Sequence, residues 1–296
     1  MKPTILLSAI LLISNLTGHS QNLKQLIPAS KLIETIATGF TFTEGPAVNP
    51  LGEIYFTDQP NNKIYIWNQT DSISTFEVDG ERANGLFFDA EGDLIACSDY
   101  RNKLIKISMA GEKTTLADGF GGKHLNGPND LWIHPNGNIY ITDSYYHRPW
   151  WPEGHKQEQD CRGVYCVKPD GEIIRVIDDF EMPNGIIGTP DGKTLYVADI
   201  NAGKTWKYRI QDDGALIDKT FFAPEGSDGM TIDHQGNVYL TNKAVSIFSS
   251  EGKKLGELQI PETPSNVCFG GKNRKTLFIT ARTSVYKIGM KVRGVN

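Results

Sequence analysis

Six oxygen-bearing residues, Glu44, Asn84, Asn129, Asn184, Asp228 and Asn266, recur along the chain at separations of 40, 45, 55, 44 and 38 residues. Four of them are followed by glycine, as in Asn84-Gly85 and Asp228-Gly229. Asn-Gly and Asp-Gly are frequent hairpin dipeptides, so any one of these alone reads as a turn. Six in phase with a repeat need another explanation. Carboxylates and amide carbonyls are what a hard divalent cation takes as ligands, calcium using about six to eight oxygens. Glu44 and Asp228 would bring two negative charges, and Asn129 and Asn184 neutral carbonyl oxygens. Without a cation two facing acids repel, and one keeps its proton. The set contains no His or Cys, which disfavours zinc and copper. Neighbouring Gly or Pro would let the backbone turn tightly beside each ligand.

Such residues can act together only if the chain brings them to one level. Each stands just before a repeated phrase, a Gly-centred turn and then an alternating apolar strand ending in polar residues. The phrase occurs at Asn49–Asp58, Asp89–Asp99, His134–Asp143, Thr189–Asp199 and Asp233–Asn242, with a looser copy at Gly270–Ala281. Each copy is followed by a further alternating strand, such as Lys63–Trp67. Period-two alternation between glycine turns indicates strand throughout. A period of about 40 to 55 residues, all strand and turn, predicts an all-β fold, a six-bladed β-propeller with four-stranded blades. Each blade should open with its innermost strand along the central channel, so that the six residues converge as a ring. The segment Lys31–Ala37 should be a strand that completes the last blade and closes the circle. One stretch breaks the period: Ser144–Arg162, rich in Tyr, Trp, His and Arg, is an insertion in the third repeat. Loops of that kind cover binding sites or pack on their own aromatics.

The rest of the sequence bounds the setting. Residues 1–20 have a positive start at Lys2, an apolar run from Ile5 to Ile13 and small or polar residues to Ser20. That is the layout of a secretory signal, which leaves 21–296 as one propeller domain and predicts an exported protein, periplasmic or secreted. No later segment approaches the about 18 apolar residues of a membrane helix. A net charge of −5 argues against nucleic acid as a partner. The four cysteines, Cys97, Cys161, Cys166 and Cys268, are scattered and read as buried thiols. No Gly-x-Ser-x-Gly elbow or phosphate-cradling glycine loop occurs.

The runs Phe42-Thr-Glu-Gly-Pro46, Leu125-Asn-Gly-Pro-Asn-Asp130, Asp179-Phe-Glu-Met-Pro-Asn-Gly185 and Ser227-Asp-Gly229 resemble the gluconolactonase, regucalcin (senescence marker protein) and luciferin-regenerating enzyme family. The stretch 261–271 resembles its bacterial gluconolactonase branch. The resemblance covers nearly everything after the signal. It implies a site for calcium, or for another divalent metal such as magnesium, manganese or zinc, at Glu44, Asn184 and Asp228, with Asn129 bound directly or through water. It also implies hydrolysis of a small-molecule sugar lactone to the aldonic acid. Asp228 would then orient or deprotonate the attacking water, or attack the carbonyl itself. The chain departs from the family pattern at Gly127, where a Ser or Arg is usual, and at Cys97-Ser98-Asp99. Arg82, His147 and Arg148 are candidates to replace the lost contacts. Asn84, Asn126 and Asn266 are further candidates to bind substrate, the first and last alternatively only lining the channel.

Two rival functions fit the same residues. One keeps the metal but hydrolyses another ester, a phosphotriester or a lipophilic lactone, using the aromatic insertion to stack the leaving group. The other is a non-catalytic propeller that binds sugar or protein and uses calcium as a structural pin.

Overall fold

The computed structural model describes residues 23–70 and 72–295, and the expected export signal lies outside them. The repeated phrase becomes the first hairpin of each blade. Its turn is built by side-chain capping: Asn49 Oδ1 accepts from the backbone N–H of Leu51 and of Glu53, each at 3.0 Å. Gly52 then takes φ +88°, the left-handed region that a side chain disfavours.

Six four-stranded antiparallel sheets follow in chain order. Their innermost strands are Thr43–Val48, Ala83–Phe88, Pro128–Ile133, Pro183–Gly188, Met230–Ile232 and Asn266–Gly270. Five sheets are simple meanders. The sixth takes its outer strand from the other end of the chain, Glu34–Thr38 pairing with Ser284–Gly289. This strand closes the ring close to the segment expected from the sequence. The six-bladed propeller is therefore the fold.

Apolar side chains are shared between neighbouring blades. Between the last and first blades, Ile54, Phe56, Trp67, Phe278 and Val285 form one cluster. Because each sheet is sandwiched by two others, the second strands Ile54–Asp58, Leu94–Ser98 and Ile139–Asp143 are buried along their whole length. Their polar residues meet the next blade instead of water. Thr57 Oγ1 donates to the Asn84 carbonyl at 3.2 Å, Thr241 Oγ1 to the Ser265 carbonyl at 2.7 Å, and Ser265 Oγ to the Thr43 carbonyl at 2.6 Å. These hydroxyls tie consecutive inner strands together beside the ring residues. All four cysteines are free; Cys97, Cys166 and Cys268 are buried and Cys161 is half-buried.

Candidate functional site

A bulge aims four of the six ring residues. The pairing of inner with second strand slips between Glu44 and Ala47, Ala83 and Leu86, Pro128 and Leu131, and Pro183 and Ile186. Glu44, Asn84, Asn129 and Asn184 fall inside or at the edge of these slips. A bulge breaks the alternation and re-aims a side chain, here into the channel. Asp228 lies just before the inner strand of blade 5, its backbone N–H donating to the Thr241 carbonyl at 2.8 Å.

The glycines beside the ring serve close approach more than turning. Of the four that follow ring residues, only Gly45 has positive φ, at +45°. A Cβ on Gly45 would lie 1.9 Å from the Asn84 carbonyl oxygen. A Cβ on Gly229 would lie 1.9 Å from the Asn266 side chain. Neighbouring blades therefore touch backbone to ring residue at this level. Blade 3 breaks the rule, with Asp130 where blades 1, 2, 4 and 5 have glycine, and its Oδ1 lies over Gly85.

Asp130 is a site residue that the sequence reading missed. The Asn266 amide nitrogen donates to Glu44 Oε2 at 3.1 Å and to Asp130 Oδ2 at 3.4 Å. One nitrogen thus joins three blades, the third and sixth standing opposite each other across the axis. The Asn266 oxygen accepts from the Val267 N–H at 2.8 Å. Asn266 is spent on closing this level of the channel, which leaves its amide unavailable for the substrate contact considered from sequence. Burial, and after it the nearby Asp228, holds the Glu44 carboxyl well above its ordinary range. Burial pushes Asp130 up to about 7. The half-buried Asp228 is also raised, by burial, against the opposing hydrogen bond from Asn184 and the charges of Arg282 and Arg148.

Two neutral oxygens complete the set. Asn84 Oδ1 and Asn184 Oδ1 are buried with no hydrogen-bond partner. An orphaned buried acceptor costs about 1–3 kcal/mol, so two of them beside three crowded acids fit a cation that would satisfy all at once. Asn129, 5 % exposed, has no side-chain hydrogen bond among the described residues. The donors are all oxygen, which suits calcium or a similar hard ion. Among the described residues no group of three His, Cys, Asp or Glu side chains makes a metal cluster by itself. The asparagines are needed.

The insertion of blade 3 forms the wall of this mouth. Asn184 Nδ2 donates to Asp228 Oδ1 at 2.8 Å and to the Tyr146 hydroxyl at 3.0 Å. Tyr146 is a second residue the sequence did not single out. Asp99 anchors the segment. In blades 1, 3 and 4 the Asp ending the second strand holds the loop before the inner strand: Asp58, Asp143 and Asp199 accept from Phe42, Gly127 and Met182 N–H at 3.1, 2.9 and 3.0 Å. In blade 2 the carboxylate of Asp99 instead accepts from Gln59 Nε2 at 3.1 Å and from Arg148 Nε. The Asp99 carbonyl accepts from Trp151 Nε1 at 2.7 Å.

The remaining candidates are placed as follows. Arg148 lies 5.6 Å from the Trp150 ring centroid and Arg82 4.5 Å, so two guanidiniums share one indole. Arg82 also donates to the Pro60 carbonyl at 2.6 Å. His147 is exposed. Asn126 has another task than meeting substrate. Its Nδ2 donates to the Cys161 carbonyl at 2.9 Å and its Oδ1 accepts from the Gln159 N–H at 3.1 Å, so both ends pin the insertion.

Comparison with known proteins agrees with this geometry. The family model for the SMP-30/Gluconolactonase/LRE-like region matches residues 42–283. The gluconolactonase of Zymomonas mobilis is 28 % identical over 95 % of this chain and 88 % of its own. The solved structure of a Xanthomonas campestris gluconolactonase superposes with a TM-score of 0.85 at 27 % identity, covering 90 % of this chain and 92 % of that one. The calcium-binding protein regucalcin of Agrobacterium tumefaciens shares the fold, with a TM-score of 0.73 at 19 % identity over 88 % of this chain and 94 % of its own. With its six blades, its ring of oxygen-bearing side chains and a family match across most of its length, the chain belongs to the SMP-30/gluconolactonase/LRE-like family.

Proposed function

We propose that the protein is a hydrolase that opens a sugar lactone, such as gluconolactone, to its aldonic acid with the help of a divalent cation, calcium by preference. The observation that carries the reading is Asp228: a half-buried carboxylate, held at one oxygen by Asn184, in a ring where the amide oxygens of Asn84 and Asn184 lack hydrogen-bond partners. Gluconolactonases among the relatives support the substrate class, and a calcium-binding relative supports the ion.

Glu44, Asn184 and Asp228 would hold the cation, with Asn129 as fourth ligand and Asn84 Oδ1 facing the same space. When bound, such an ion supplies Lewis-acid polarisation of the carbonyl and offsets the charge that develops on its oxygen. Asp228 takes the proton of the attacking water as that water adds to the carbonyl carbon. The bond from that carbon to the ring oxygen then breaks, and the ring oxygen receives the proton from Asp228. Asn184 keeps the Asp228 carboxylate in place through both steps. Arg82 and Arg148, both against the Trp150 ring, offer donors at the mouth for the hydroxyls of a sugar.

The export pattern of residues 1–20 supports a periplasmic or secreted enzyme, and the mature amino terminus, read by mass spectrometry, should begin after that segment. The function is tested by proton release from D-glucono-1,5-lactone at near-neutral pH, with spontaneous hydrolysis subtracted. Turnover with calcium that falls on chelation is expected. Calcium binding without turnover on any lactone would leave a binding propeller.

A further inference from the structure

We infer that Tyr146 is a positioning residue for the ring: its hydroxyl holds the Asn184 side chain in place, so that cation affinity depends on the blade 3 insertion. The inference rests on the cation reading above.

An asparagine amide can present either end to a ligand, and its hydrogen-bond partners decide which. Asn184 has two donors at Nδ2 and both are used, one on Asp228 Oδ1 at 2.8 Å and one on the Tyr146 hydroxyl at 3.0 Å. The remaining end, Oδ1, is then buried without a partner. Only that end can ligate a cation. An ionised Asp228 only accepts, so it sets which end of the amide faces it. The Tyr146 oxygen takes the second amide hydrogen and holds the side chain at that place.

The hydroxyl can do this because the insertion is fixed at several points. The Tyr145 hydroxyl donates to the His155 carbonyl at 3.0 Å, closing the segment on itself. Arg148 is paired with Asp99, and Trp151 Nε1 donates to the Asp99 carbonyl at 2.7 Å. At the far end Gln159 Nε2 donates to the Phe120, Lys123 and His124 carbonyls at 3.0 to 3.1 Å. The segment is a strut between blades 2 and 3 that carries one hydroxyl to a residue of blade 4. Partners that orient a metal ligand without touching the metal change affinity by about 10- to 100-fold when removed.

The test is calcium affinity by titration calorimetry on the full mature chain, with the melting temperature of the chelated protein alongside. Tyr146→Phe removes one oxygen and should bind calcium about tenfold more weakly, with the chelated melting temperature unchanged. In an Asn184→Ala background no amide is left to hold, so Tyr146→Phe should change affinity less than about twofold. Lys156→Ala, exposed on the same segment, should match the parent. Equal calcium binding by Tyr146→Phe and the parent overturns the inference, as does the same loss in both backgrounds. Should Asn184→Ala bind no calcium, the comparison of Tyr146→Phe with the parent decides alone. A parent that binds no calcium overturns the cation reading, and this inference with it.

Discussion

Asn184 of blade 4 donates to the carboxylate of Asp228 at the head of blade 5, a 2.8 Å bond between residues 44 positions apart. It makes the proposed base and the proposed neutral ligand one unit.

Asp228→Asn should lower kcat by at least about 100-fold, the usual contribution of a positioned general base. The fold should survive, because the replacement keeps size and shape. Glu44→Gln should act first on calcium affinity and only through it on turnover. Repeated turnover in oxygen-18 water, followed by peptide mass spectrometry, separates the two roles open to Asp228. A base leaves its carboxylate unlabelled, which is the expected result, whereas direct attack on the carbonyl would build the label into it.

Acid should stabilise the chelated protein. Burial raises Asp130 and Asp143 to about 7. A carboxyl whose value rises on folding favours the folded state while protonated. That contribution is complete below its ordinary value near 4 and is lost as pH climbs through about 7. The chelated protein should therefore melt higher at pH 5 than at pH 7.5, by roughly 5 °C. Saturating calcium should flatten the profile, since the cation replaces the proton at Asp130 and its neighbours but not at Asp143. A chelated melting temperature that rises from pH 5 to 7.5 would contradict the burial of these acids.

Gly229→Ala should be costly out of proportion to one methyl group. The new Cβ would meet Asn266 at 1.9 to 2.3 Å, and overpacking of this kind costs about 1–3 kcal/mol. Since Asn266 holds Glu44, calcium affinity should fall along with the denaturation midpoint. A variant with parent stability and parent affinity would show that the blades can separate there.

Asp99→Ala should release the insertion without unmaking the propeller. Arg148 loses its carboxylate partner, and trypsin should cut the insertion after the exposed Lys156 sooner than in the parent. KM for the lactone should rise more than kcat falls, because Arg148 and Trp150 line the mouth while Asp228 remains in place. Resistance to trypsin equal to the parent's would mean that Trp151 and Gln159 hold the segment unaided.

The number of blades, their strands and the phase of the ring residues were legible in the sequence because they follow from local rules. Alternation sets a strand, a capped glycine turn sets a hairpin, and a fixed period repeats both. Glu44, Asn129, Asn184 and Asp228 could therefore be picked out by phase. The closing strand could be expected too, from the leftover segment at 31–37. Asp130 was hidden because it occupies a position that is glycine in four of the other blades, and Asp99 because its counterparts in blades 1, 3 and 4 hold backbone N–H groups of the loop before the inner strand. Asn126 lies in a run typical of the family and was a candidate for substrate; nothing in the sequence signalled that both ends of its amide hold the insertion. The glycines beside the ring were credited with turning, whereas most of them make room for the next blade. Ring closure sets Asn266 against Glu44, 222 residues away, and the insertion sets Tyr146 against Asn184. No local pattern encodes such pairs. Sequence by itself determined which residues point at the axis, since that depends on strand period. Only the tertiary structure decided which atoms of those residues are free to bind, since that depends on partners brought from other blades.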